Sequence, residues 1–185
     1  DLSELTGIPD LIKNIIDVTP SPLFGLINNA GVGLSGTLAT QHATDISQIL
    51  RLNLEAPISL SKYVVRHMLR QRQGRIVNIS SIIASTGFNG LAVYAASKAG
   101  LEGFTRSFSR EVGRAGITVN CIAPGYMLTD MTVSLNGPKL ESIKRRAPLG
   151  LPETFHAAHA VRYLLEPGAS KTTGTIITVD GASTA

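Results

Sequence analysis

The chain has 185 residues, the length of one domain with room for a proper core. Hydrophobic residues make up 43% and charged residues 16%, a composition that excludes a disordered chain. The net charge of +4 is mild and its bases are scattered apart from Lys144-Arg145-Arg146, so no nucleic-acid partner is expected, and the single cysteine, Cys121, excludes an internal disulfide and a cysteine-built zinc site.

From Glu4 to Asp17 the residues Leu5, Ile8, Leu11, Ile12, Ile15 and Ile16 recur at helical spacing and predict a helix with Ser3 as N-cap, stopped by Pro20 and Pro22. Leu23–Ile27 reads as a short buried strand that runs into the tight turn Asn28-Asn29-Ala30-Gly31. A long helical pattern covers Thr44 to Arg72, and Pro57 within it predicts a break or kink near Asn53–Pro57. Arg75–Ser80 is a second strand, followed by the loop Ser81–Gly90. Tyr94 to Arg114 is helical and carries Ala95, Ala96, Ala99, Gly100 and Gly103, small residues that permit close packing against another element. Ile117–Ile122 is a third strand, within which Cys121 is expected to be buried and inert. It ends at Pro124-Gly125, and Tyr126 to Leu151 reads as irregular or partly helical. Glu153–Leu165 is a helix with Pro152 at its start, and Thr175–Val179 is a last strand. Strands separated by helices predict one α/β domain, residues 1–185, with a doubly wound parallel sheet. Ligands of such sheets bind beyond the carboxyl ends of the strands, so the turns after Ile27, Ser80 and Ile122 are where chemistry is expected.

The uncharged stretches 18–44 and 76–97 are broken by Gly, Asn, Ser and Thr, so no membrane span is expected. The chain starts at Asp1 without a charged and apolar leader, so no signal peptide is expected, and the missing Met suggests a segment upstream. His42, His67, His156 and His159 show no metal-ligand spacing with acidic neighbours, and no metal is expected.

Tyr94 and Lys98 are four residues apart, which sets them on one helix face, one turn apart. Free tyrosine ionises near pH 10, too high for a proton shuttle at neutral pH, and a nearby ammonium favours the phenolate. A tyrosine tuned in this way can give a proton to a carbonyl oxygen or take one from an alcohol. Ser81 could hold the same oxygen. Singly, each residue has an ordinary reading: Ser81 a turn residue, Asn53 a helix kink or cap, Pro124-Gly125 a plain turn. It is their order at successive strand ends that points to a site.

Asn28-Asn29-Ala30-Gly31, Asn53 in Arg51–Leu54, Gly74–Ser81 (GRIVNISS), Tyr94–Phe104 (YAASKAGLEGF), Ile117–Met131 (ITVNCIAPGYMLTDM) and Thr173–Gly181 (TGTIITVDG) together resemble the short-chain dehydrogenase/reductase family. Within it, the chain is similar to the 3-oxoacyl-(acyl-carrier-protein) reductases. The resemblance implies a Rossmann-type fold and a cytoplasmic enzyme that uses NADP or NAD, with NADP expected from the subfamily. Tyr94 would be the acid/base, with Lys98 lowering its pKa and binding the nicotinamide ribose. Ser81 would orient the carbonyl, and Asn53 would hold a water that links Lys98 to solvent. Asn29, Ala30 and Gly31 would line the adenosine side of the cofactor; Pro124, Gly125, Met127 and Thr129 would meet the nicotinamide end, and Asp1 and Leu2 would touch adenine. Helices Thr44–Arg72 and Tyr94–Arg114 would form the interfaces of a homodimer or homotetramer.

Three features depart from the family pattern. Its opening strand and Gly-rich TGxxxGxG turn, which bind pyrophosphate, match nothing here, so the sheet is expected to lack its first two strands and the isolated chain to be inactive. Of the two carrier-protein arginines only Arg72 is matched; Ala115 stands at the other position, with Arg114 beside it. The tail reads VDGAST where VDGG is commoner. Met127, Leu128, Met131, Val133 and Leu135 could line an acyl pocket or pack under a lid; Lys139, Lys144, Arg145 and Arg146 could attract an acidic carrier or form a solvated face. A reductase of a sugar, polyol, steroid or small alcohol, and a non-catalytic subunit, remain alternatives.

Overall fold

The structure is a computed structural model that describes residues 1–129, 132 and 137–185. Among them, four strands form one parallel sheet in the order of the chain: β1 (Gly25–Asn28), β2 (Gly74–Ile79), β3 (Ile117–Pro124) and β4 (Ile176–Val179). The registers Asn28↔Asn78, Asn78↔Cys121 and Ile122↔Ile177 bring the carboxyl ends of the strands to one rim. Every residue of β3 is buried, the polar Thr118 and Asn120 included, so the strand is covered on both faces.

Helices cover both faces. On one, Ile8 and Ile12 of α1 (Ile8–Val18) and Leu60, Val64 and Met68 of α3 (Ala56–Gln71) pack with Ile76, Ile117 and Val119 of the sheet. Val112 of α5 (Ala92–Val112) closes the same core. On the other face, Leu164 of α7 (Thr154–Leu165) seals Val77 and Ile122. The expected doubly wound α/β arrangement is therefore present, in four strands.

Element ends differ from expectation for local reasons. Ser3 does not cap α1: its N–H and hydroxyl donate to Asp1 Oδ1 at 2.8 and 2.9 Å, and a 3-10 turn leads into a helix that starts at Ile8. Pro9 stands in the first turn, where a missing N–H costs nothing. Pro152 lies before α7 rather than in it; Glu153 precedes the first turn and donates its N–H to His156 Nδ1 at 3.0 Å, which gives that histidine a capping task. The expected long helix is three pieces: α2 (Ala43–Leu50), a π turn over Arg51–Glu55, and α3 with Pro57 in its first turn. The break thus falls where Pro57 withholds its N–H, and the Ala56 N–H reaches back five residues to the Arg51 carbonyl. Within Tyr126–Leu151, read as irregular or partly helical, α6 covers Gly137–Arg145, and the stretch Ser81–Gly90, read as a loop, contains a one-turn helix, α4 (Ile83–Thr86).

Candidate functional site

Helix α5 starts beside the carboxyl end of β2 and carries Tyr94 and Lys98 on the face turned to the sheet. Lys98 is 5% exposed, and its Nζ donates to the Ile79 carbonyl at 2.8 Å and sits 5.7 Å from the centre of the Tyr94 ring. Burial pulls the ammonium down to about 8, and the nearby Cys121 opposes this. Tyr94 moves the other way: burial raises its phenol above the ordinary value, and the Ser81 hydroxyl draws it partway back. The lysine does not touch the phenol oxygen here; its charge lies under the ring and against the strand end.

Ser81 follows β2 directly and is 9% exposed. Its Oγ accepts the Ile83 N–H at 3.3 Å, at the start of α4. Asn53 comes from the π turn, which rotates its side chain inward until none of the residue is exposed. Its Oδ1 accepts the Val32 N–H at 2.8 Å, while its Nδ2 donates to the Val32 carbonyl at 2.8 Å and to Ser97 Oγ at 3.2 Å. Those bonds use both N–H groups of the amide and leave one lone pair of Oδ1 for a further donor.

The loop after β1 leaves Asn29 and Ala30 exposed and half-buries Gly31. A Cβ on Gly31 would stand 3.1 Å from Asn53 Oδ1 and 3.5 Å from Lys98 Nζ, so a side chain here would crowd the Asn53 amide while only touching the ammonium. After β3, Pro124 is buried, Gly125 and Met127 are half-buried and Thr129 is exposed. A Cβ on Gly125 would meet Asp180 Cβ at 2.7 Å. Asp180 in turn accepts bonds from Ala182, Ser183 and Thr184 and folds the C-terminal turn beneath this loop. Gly36 N donates to the Gly90 carbonyl at 2.9 Å, which joins the loop after β1 to the one before α5. Asp1 and Leu2 lie apart from this cluster: Asp1 is exposed on Ser3, and Leu2 packs on the α1–α3 core.

The donors at the rim fit a nicotinamide cofactor. A buried ammonium sits behind the closely packed Gly31, and the shelf between the ends of β1 and β3 is open at Asn29 and Ala30. Asn29, Ala30, Gly31, Lys98, Gly125 and Met127 are the residues that would hold it. A shallow cleft of about 260 Å³ opens between Phe88 and Asn89 and, at the end of α6, Ser142, Ile143 and Arg146, and none of the site residues lines it. A second, of about 160 Å³, lies between α1 and α3 and shares no residue with the site. Asp130, Met131, Val133 and Leu135 lie outside the described residues, as does the side chain of Lys139. Cys121 is wholly buried against Thr105, as expected, and burial pushes its thiol up to about 12. The sequence reading missed Ser80 and Glu102, whose hydrogen bond at 2.9 Å joins β2 to α5 beneath the site. No local pattern marks it.

A family model described as short chain dehydrogenase matches residues 1–139. The 3-oxoacyl-[acyl-carrier-protein] reductase FabG of Vibrio cholerae is 41% identical over 177 residues, covering 94% of this chain and 72% of that protein. The reductase of the same name from Rickettsia conorii is 44% identical over 173 residues, 91% of this chain and 70% of that one. A crystal structure described as that of a proposed gluconate dehydrogenase from Agrobacterium tumefaciens superposes with a TM-score of 0.94 at 25% identity, covering 100% of this chain and 74% of that chain.

Proposed function

We propose that this chain, which belongs to the short-chain dehydrogenase family, reduces a 3-oxoacyl thioester to the 3-hydroxyacyl form, the acyl group being carried on acyl carrier protein or coenzyme A. Membership makes it an NAD(P)-dependent oxidoreductase of the carbonyl/alcohol pair. Identities of 38% to 44% to reductases of that name support the acyl substrate. The observation that carries the reading is the meeting of Tyr94, Ser81 and Lys98 at the carboxyl end of β2.

Bound nicotinamide supplies the hydride. As the carbonyl carbon is reduced, the Tyr94 phenol passes its proton to the carbonyl oxygen, and the Ser81 hydroxyl holds that oxygen by a hydrogen bond. Burial keeps the phenol protonated, the form that reduction needs, and the Lys98 ammonium beneath the ring favours the phenolate left behind. Asn53 fixes the loop that carries Val32 and leaves room for Lys98 behind Gly31.

NADP is the cofactor favoured by the subfamily resemblance, and the chain acts as one domain in the cytoplasm. A homodimer or homotetramer is supported by the exposed small residues Ala96, Ala99 and Gly103 of α5, which would let a second copy approach closely. No helix among the described residues is long and apolar enough to cross a membrane.

A fluorescence titration with NADPH and NADH, followed by turnover of 3-oxoacyl thioesters beside hydroxy-acid, sugar and steroid substrates, tests the reading. In a protein that carries the pyrophosphate-binding strand and turn, saturable NADPH binding, preferred thioester turnover, and a loss of at least about 100-fold in Tyr94→Phe with binding intact are expected. Retained turnover in Tyr94→Phe would sink the assigned role. Faster turnover of a gluconate-type acid, the substrate class named for the superposed structure, would replace the thioester.

A further inference from the structure

We propose that Glu102 is a positioning residue for the proton-transfer pair: through Ser80 it fixes the strand end that presents Ser81 to Tyr94. This rests on the reading of Tyr94 and Ser81 given above. Helix α5 puts Tyr94, Lys98 and Glu102 at successive turns of one face. The Glu102 side chain is 13% exposed, and Ser80, which it meets, is 3% exposed. Ser80 Oγ has Glu102 Oε1 at 2.9 Å and the Lys98 carbonyl at 3.3 Å, so its one proton goes to the carboxylate, the closer and stronger acceptor.

A carboxylate so enclosed needs a reason. Its ion pair is a weak one: Arg106 Nη1 stands 3.8 Å away on a side chain that is 54% exposed. A hydroxyl donating to solvent or to the Lys98 carbonyl alone would not require a charge at this place. What the charge adds is a short, stiff bond to the residue immediately before Ser81. The same few residues are held elsewhere too. Ser80 N donates to Ile122 O at 2.7 Å and Ile82 N to Pro124 O at 3.0 Å, which fixes them to β3. Lys98 Nζ fixes Ile79 to α5. Glu102 supplies the second tie to α5, so that the strand end and the helix bearing Tyr94 keep one spacing. Without it, Ser80 is left with the longer bond to the Lys98 carbonyl and the Ser81 hydroxyl loses its fixed distance to the phenol.

The test compares Glu102→Ala, Glu102→Gln, Ser80→Ala, the double variant Glu102→Ala/Ser80→Ala, and Arg106→Ala in the whole protein, each checked for folding by circular dichroism. Expected are a fall of about tenfold in kcat for Glu102→Ala with KM for the dinucleotide unchanged, the same fall in Ser80→Ala, and no further fall in the double variant. Glu102→Gln keeps a carbonyl acceptor and returns to within about threefold of the parent, and Arg106→Ala stays within about twofold. A second readout needs no turnover: the ultraviolet titration of the protein minus that of Tyr94→Phe isolates the Tyr94 phenol. Its midpoint moves up in Glu102→Ala and stays in Glu102→Gln. If the parent protein reduces no thioester, the proposed function fails while this titration still decides the role of Glu102. An unmoved Tyr94 midpoint in folded Glu102→Ala, or additive losses in the double variant, would overturn the proposal.

Discussion

The Lys98 ammonium is bound to the Ile79 carbonyl at 2.8 Å, on the strand end that leads to Ser81, rather than to the phenol it shares a helix face with. One side chain therefore ties α5 to β2 and holds a positive charge beneath the Tyr94 ring. That placement works against stability, because the charge is buried where only a carbonyl meets it.

Lys98→Met should therefore raise stability while removing function. The folded-state value near 8 lies below the ordinary 10.5, so between these pH values the unfolded chain holds more protons than the folded one and the parent gains stability as pH rises. Below pH 8 its full penalty applies. The variant should be more stable than the parent by roughly 1–2 kcal/mol at pH 7, with the difference shrinking between pH 8 and 10.5. Urea melts at pH 7, 9 and 10.5 check both the sign and the window; a difference that grows with pH would contradict it.

Asn53→Ala strips Val32 of both main-chain partners and Ser97 of a third bond. A loss of about 2–4 kcal/mol is expected, with faster amide exchange concentrated in residues 29–37. Exchange that changes equally across the chain would show that the side chain stabilises the fold at large and not this loop.

At the C-terminal turn, Ala182 has φ +68°, a left-handed conformation that a side chain disfavours. It is held there by its N–H donating to Asp180 Oδ1 at 3.0 Å. Ala182→Gly, which restores the commoner VDGG ending, should add about 0.5–1 kcal/mol after glycine's entropy is subtracted, a rise of a few degrees in Tm. Calorimetry of the pair would reveal an unchanged or lower Tm if the turn is unstrained.

Arg72 Nη2 donates to the Arg114 carbonyl at 2.9 Å, which brings the family-matched arginine and its displaced neighbour to one exposed corner at the ends of α3 and α5. If that corner receives an acidic carrier, Arg72→Glu and Arg114→Glu should each raise KM for the carrier-linked substrate by about tenfold at low salt and leave the coenzyme A substrate unaffected. Equal effects on both substrates would remove the corner from carrier recognition.

What the sequence discloses about this site is what depends on spacing along one element. Tyr94 and Lys98 share a face in any helix of this register, and Pro57 must disturb whatever helix contains it. The form of that disturbance is hidden: a π turn is chosen because it turns Asn53 toward Val32, 21 residues away, and only tertiary packing brings the two together. Glu102 and Ser80 are hidden for the same reason, being 22 residues apart on a helix and a strand. The helix starts near Ser3 and Pro152 are hidden too: α1 begins at Ile8 after a 3-10 turn, with Pro9 inside its first turn, and α7 begins after Glu153, and both depend on how the preceding chain enters the helix.

The single bond from Gly36 to Gly90 has a mechanical meaning. It fastens two stretches from distant parts of the chain edge to edge, one of them the loop that brings Phe88 and Asn89 to the cleft. A shift of one stretch is therefore passed to the other, and through their roots to Val32 on Asn53 and to the first turn of α5.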